Sequence, residues 1–178
     1  MTPNARRSVL FISMGLGLAA LFAPAAMPHA MRNRVLVVYN PSDSVPRGWY
    51  RIGPAGSLHA DSIVLTRLPP GAATLAAQRR YLPSGIPLLK RIGAVAPQSV
   101  CEREGVVRID GVVAARALPH DGKHRPLQSW TQCRTLAEGE LFLLSNANPA
   151  SFDSRYFGPV ATSAVIGSAW PLWTWSTP

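Results

Sequence analysis

Asn40-Pro41-Ser42-Asp43-Ser44-Val45-Pro46-Arg47-Gly48-Trp49-Tyr50 is the stretch whose reading decides this fold. It follows Val35-Leu36-Val37-Val38-Tyr39, an apolar run of strand-forming residues that reads as a buried β-strand. The strand ends in a turn rich in Pro, Ser, Asp and Gly, which puts Ser42 and Ser44 on a loop at a sheet edge. Pro46 fixes its own φ and pushes Val45 into an extended conformation, so the backbone after Ser44 is partly set in advance. A serine hydroxyl held by such a turn can be a nucleophile, with its own N–H turned toward a developing oxyanion. Most serines in Pro/Gly loops are plain turn residues, and this stretch alone leaves both readings open.

A second stretch bears on the choice. Pro87-Leu88-Leu89-Lys90-Arg91-Ile92-Gly93-Ala94-Val95 is again strand-like, with Lys90 in its apolar middle. Lys90 and Lys123 are the only lysines in a chain whose other bases are arginine. Arginine keeps its proton near neutral pH, whereas a desolvated lysine can release it and act as a general base. The alternative is a Lys90 that lies along a sheet edge beside Arg91 with its ammonium in water.

The third stretch is Ser151-Phe152-Asp153-Ser154-Arg155-Tyr156-Phe157-Gly158-Pro159. In order, Ser42-x-Ser44-x-Pro46-x-Gly48-x-Tyr50, then Leu88-Leu89-Lys90-Arg91-Ile92, then Ser151 to Pro159 resemble the serine signal peptidase family with its Ser-Lys dyad. Within it the likeness is to the conjugative-transfer, TraF-type branch, and it runs from about Val35 to Val165. The resemblance implies a mainly β fold of twisted antiparallel sheets with a peptide groove beside the dyad. It implies Ser44 as nucleophile, Lys90 as general base, and an oxyanion hole made by the Ser44 N–H and the Ser42 hydroxyl. It gives Ser151 the task of orienting the lysine ammonium. Asp153 and Arg155, read as two apart on one strand face, would brace the site through a charge-assisted bond. No cofactor and no metal enter this chemistry. The implied substrate is an exported, pilin-like precursor protein that loses a leader or tail. Its chain would add as a strand to a sheet edge, with small pockets taking side chains such as alanine. The acyl-enzyme would then go to water, or to a free amine with cyclisation.

Around these motifs, the 178-residue chain divides into a segment at 1–30 and a catalytic domain at 31–178. Arg6 and Arg7 precede Val9–Met27, a stretch without charge whose helix would nearly span the ~30 Å hydrocarbon core. The layout predicts export, with the domain on the periplasmic side of the inner membrane. It fits a retained anchor and a cleaved leader alike, since Ala23-Pro24-Ala25 offers small residues for cleavage. The net charge of +9, from 18 bases and 9 acids, suits an anionic membrane surface as partner. Nucleic acid is set aside, because no basic helix face and no aromatic-basic strand is found.

The remaining chain reads as short strands with one short helix, the latter over Ala72–Tyr81 after a Pro69-Pro70-Gly71 break. Asp110-Gly111 between Val106–Ile109 and Val112–Leu118 predicts a type I′ hairpin. Leu141–Ser145 reads as a core strand and Val160–Ala169 as the closing one. The tail, Trp170 to Trp175, either packs on the sheet or seeks the membrane interface. His59 and Asp61 read as surface residues, and His120 with His124 lacks a third ligand for zinc. Cys101 and Cys133 are expected to form a disulfide in an exported domain. Two further function classes remain: a non-catalytic assembly component of a transfer apparatus, and a self-cleaving regulator. The second would need a DNA-binding domain ahead of the dyad.

Overall fold

In the computed structural model, residues 36–175 are described; the leader read over residues 1–30 lies outside them. The described residues form eleven strands, two short α-helices and one 3-10 turn, Thr162–Ala164. Every strand pairing is antiparallel. A seven-stranded sheet has the order β1-β2-β11-β3-β4-β9-β10, and a second sheet has the order β7-β6-β5-β8.

In the large sheet, β1 (Leu36–Asn40) and β2 (Arg47–Gly53) are a hairpin whose connection carries Ser42 and Ser44. In β2 every second residue points inward, so Gly48, Tyr50 and Ile52 are buried while Trp49 and Arg51 face out. Strand β1 departs from the buried reading: Leu36, Val37 and Tyr39 are about half exposed, because β1 is the outermost strand of the sheet. Its neighbour on the far side of β2 is β11 (Val165–Trp175), which ties the end of the described chain to its beginning. Gly48, at φ 141°, lies where a Cβ would run into the Trp173 carbonyl oxygen, so glycine is what lets these strands close up. The closing strand therefore starts later than expected and continues through the tryptophan tail; Val160–Ala161 forms β10 on its own.

Strand β3 (Ile63–Thr66) pairs with β4 (Leu88–Val95), setting Val64 opposite Lys90, and β4 pairs with β9 (Glu140–Leu143). The helix between β3 and β4, α1, spans Pro70–Gln78 rather than Ala72–Tyr81. Pro70 stands at its first position, where a missing N–H is tolerated, so the proline pair begins the helix instead of ending the strand. It stops early because Arg80 takes a positive φ of 60°.

The second sheet holds β5 (Ser99–Arg103), β6 (Val106–Ile109), β7 (Val112–Arg116) and β8 (Cys133–Thr135). Asp110 and Gly111 both have positive φ, 50° and 81°, as the expected turn requires. Cys101 faces Cys133 across β5 and β8, and the two are joined as a disulfide. Ala94, Val100, Val107, Leu136, Phe142 and Leu144 form one buried cluster, which glues this sheet to β4 and β9. Among the described residues, no helix is long and apolar enough to cross a membrane.

Candidate active site

Ser44 lies just before β2, and Lys90 lies on β4, with β11 and β3 between those strands. At ~4.8 Å per strand step, a flat sheet would hold them about 14 Å apart. They touch, with Ser44 carried on the β1–β2 connection and not on a strand. Lys90 Nζ donates to Ser44 Oγ at 2.6 Å and to Ser151 Oγ at 2.5 Å, and the two hydroxyls are 3.1 Å from each other. One lysine thus meets serines from the β1–β2 connection and from the segment after β9.

Lys90 is 2 % exposed, so the edge-strand alternative with its ammonium in water does not apply. Burial drives its pKa down from 10.5 to about 8. Asp153 opposes that shift by attracting the ammonium, and Arg155 adds to it by repulsion. The amine is therefore available as a base at mildly alkaline pH, where an exposed lysine would stay protonated.

The loop that carries Ser44 is held by its own motif residues. Tyr50, fully buried, donates its hydroxyl to the Pro46 carbonyl at 2.6 Å. Asp43 and Arg47 form an ion pair at the loop surface. The Ser44 N–H donates to no protein group among the described residues, which leaves it able to meet an incoming anion. The Ser42 hydroxyl, expected at the oxyanion hole, is engaged locally. That hydroxyl donates to Asn40 Oδ1 at 2.8 Å, and the Ser42 N–H donates to the same oxygen at 3.2 Å. The Asn40 amide cannot be reversed, since its Nδ2 faces three carbonyls. In this arrangement Asn40 takes the hydrogen that the oxyanion would need.

Asp153 and Arg155 do not share a strand face. Asp153 is the N-cap of a one-turn helix, α2 (Ser154–Phe157), and its Oδ1 accepts the Arg155 N–H. Serine and aspartate before a short run of aromatic residues favour a cap over a strand. The two side chains still meet, in a bidentate pair at 2.8 Å, with Asp153 0 % and Arg155 1 % exposed. Arg155 also donates to the carbonyls of Ser151, Pro149 and Arg116, each at 2.8 Å. It thereby fixes the backbone on which Ser151 rides and ties it to the end of β7.

A cleft of about 330 Å³ opens over Ser44, Lys90 and Ser151. Its far wall comes from α1 and from the polar loop after β7, through Ala76, Leu82, Leu127 and Asp121. The Asp121 carboxylate accepts from Tyr81 at 2.5 Å and from Arg125 at 2.7 Å, so the loop is fastened to the segment following α1. This wall and Ser145 lie outside the sequence motifs, and no spacing rule marks a serine whose partner is a carbonyl 101 positions away; Asn40 opens the Ser44 motif and bonds carbonyls close by in the chain. His59 and Asp61 are exposed and stand outside the cleft.

The signal peptidase, peptidase S26 family pattern matches residues 7–174. The plasmid transfer protein TraF of Escherichia coli is 28 % identical over 183 residues, covering 96 % of this chain and 98 % of that one. The conjugal transfer protein TraF of Agrobacterium tumefaciens (strain 15955) is 32 % identical over 179 residues, with 95 % and 97 % covered. A signal peptidase I structure from Enterococcus faecalis V583 superposes with a TM-score of 0.40 at 21 % identity, over 64 % of this chain and 97 % of that one. With the family pattern matched across nearly its whole length, the chain belongs to the signal peptidase, peptidase S26 family of serine peptidases, in its TraF-type branch.

Proposed function

We propose that this protein is a serine endopeptidase with a Ser44–Lys90 dyad that cuts a leader or tail from an exported precursor, a pilin-like subunit of a conjugative transfer apparatus. The observation that carries the reading is the 2.6 Å contact between Ser44 Oγ and a buried Lys90 whose pKa is about 8. Its setting, plasmid transfer, is taken from the names of the TraF relatives.

Substrate would enter the cleft as an extended strand and complete the desolvation of Lys90. Neutral Lys90 Nζ takes the Ser44 proton as Oγ attacks the scissile carbonyl. The tetrahedral oxyanion forms beside the Ser44 N–H; the Ser42 hydroxyl joins only by turning away from Asn40. Lys90, now an ammonium held by Ser151, returns its proton to the leaving amine. The ester that remains goes to water activated by Lys90, or to a free amine that reaches it first. The second outcome joins the ends of the product into a ring. The apolar lining of the cleft, with Leu68, Ala76, Leu82, Leu88 and Leu127, suits apolar side chains beside the cut.

The exposed face of β1, β2 and β11 supports contact with the inner-membrane surface. Trp49, Trp170, Trp173, Trp175, Tyr39 and Leu172 all stand 43 % or more exposed there, and indoles favour the headgroup level. The Cys101–Cys133 disulfide supports a periplasmic location.

The test is mass analysis of a co-expressed pilin precursor. A shortened linear product supports hydrolysis, and a shortened product one water lighter supports cyclisation. An unchanged precursor, with the same mass as in a Ser44→Ala strain, refutes the reading and favours a non-catalytic assembly component.

A further inference from the structure

The Ser44 loop is held from two directions, and only one of them belongs to its own motif. Asn40, 5 % exposed, donates through Nδ2 to the carbonyls of Ser42, Val45 and Pro46 at 2.9, 3.1 and 3.1 Å. It does not reach the carbonyl of Ser44. That acceptor is taken by Ser145, a residue 101 positions away, whose Oγ donates to it at 2.8 Å.

Ser145 is itself fixed on every side. It is 3 % exposed, its N–H donates to Asp153 Oδ2 at 3.0 Å, and its Oγ accepts the Asn148 N–H at 3.1 Å. The preceding N–H, of Leu144, donates to the Arg91 carbonyl at 2.9 Å, immediately beside Lys90 on β4. Ser145 thus spans the gap between the strand that carries the base and the peptide that carries the nucleophile. The donor in this bond is a neutral hydroxyl, so its removal changes the position of Ser44 without adding or deleting a charge near Lys90.

Resting on the dyad reading above, we propose that Ser145 is a positioning residue: its hydroxyl locks the Ser44 carbonyl to the Lys90 strand and so sets the Oγ–Nζ contact and the aim of the Ser44 N–H. Without that bond, the Ser44–Val45 peptide is free to rotate, and Oγ leaves the geometry for attack. A displacement of about 1 Å at a reacting atom lowers a rate about a hundredfold.

The probe is N-acetyl-dialanine p-nitrophenyl ester, with p-nitrophenolate release followed at 405 nm (about the absorbance maximum of the phenolate) and the acyl adduct located by mass. The full-length wild type should be acylated on Ser44. Ser145→Ala should lose about a hundredfold in the acylation rate with KM essentially unchanged. Its rate should still rise with pH through about 8, because the surroundings of Lys90 are untouched. Ser145→Thr, which keeps the donor, should recover most of the loss; thermal melting checks that both variants fold. Ser145→Ala at the wild-type rate overturns the proposal and leaves the dyad standing. So does a loss confined to KM, a displaced pH rise, or a folded Ser145→Thr as slow as Ser145→Ala. A wild type that is not acylated at Ser44 overturns the dyad and this proposal together.

Discussion

Replacing Lys90 by methionine should end catalysis and make the protein more stable. The folded state holds Lys90 at a pKa of about 8, against 10.5 for the free side chain. That difference of about 2.5 units corresponds to about 3 kcal/mol at pH 7, since each unit is about 1.4 kcal/mol. The depressed value belongs to a cation, so the unfolded chain binds the extra proton between pH 8 and 10.5. Stability of the wild type accordingly rises across that window, and the full penalty is present below it. Methionine fills the lysine stem without a charge, and Ser44 and Ser151 still have each other at 3.1 Å. The variant should therefore gain about 3 kcal/mol at pH 7, which for a chain of this size is about 6–12 °C in Tm. Above pH 10.5 the two proteins should converge. Urea unfolding of both at pH 7 and pH 11 (about half a unit above the free lysine value) measures it. A Lys90→Met protein that is less stable at pH 7, or a gap that is the same at both pH values, would refute the claim that burial is what depresses this lysine.

Ser44→Ala and Lys90→Arg should each abolish precursor processing, and the double variant should be little worse than either, because the two groups act in one step. Lys90→Arg is the sharper measurement: it keeps the charge and removes the titratable base, and appreciable processing by it would sink the general-base role. Reduction of Cys101–Cys133 should lower stability by about 3–4 kcal/mol, since the bridge closes a loop of 32 residues, while Ser44 acylation of the still-folded protein continues. Free thiols in unreduced protein from the exported compartment would contradict it. Trp173→Ser with Trp175→Ser should slow processing of a membrane-held precursor but leave turnover of a soluble ester at the wild-type rate, as the indoles lie on the outer face of β11. Equal processing of both substrates by that variant would remove the membrane role of this face.

The residues that a sequence exposes best are those whose chemistry is odd for their place. Lys90 in an apolar run and Ser44 before a proline were legible for that reason, and the structure puts them in contact. What escaped was set by pairings that residue type alone does not choose between. Strand β1 was read as buried because its residues are apolar; that it is an outermost strand depends on where β2 and β11 pair, which no local pattern encodes. The Asp153–Arg155 spacing of two fits one strand face, whereas the aspartate carboxylate caps its own helix. Ser42 is expected at the oxyanion hole on likeness to the wider family, and in this structure its hydroxyl bonds the nearby Asn40 amide. In the tail, a strand running past Pro171 was hidden by the proline itself. The bulge between Pro171 and Trp173 accommodates it, since a residue without an N–H is tolerated where the ladder is already broken.

The buried Asp153–Arg155 pair is poor evidence for stability, because removing two charges from water costs more than most such pairs return. Its contacts suggest what it secures instead. Asp153 Oδ2 receives the Ser145 N–H, and Arg155 Nη2 reaches the Ser151 carbonyl. Those two serines hold Ser44 and Lys90: Ser145 bonds the Ser44 carbonyl, and Ser151 bonds the Lys90 ammonium. One ion pair therefore fixes the supports of Ser44 and of Lys90 at once. An apolar pair of equal size would pack as well and leave both serines without a fixed anchor. A net-neutral pair also limits its own effect on Lys90, since Asp153 attracts the ammonium while Arg155 repels it. The pKa is then governed by burial, and on the proposed mechanism a docking peptide would deepen that burial and so couple the chemistry to binding.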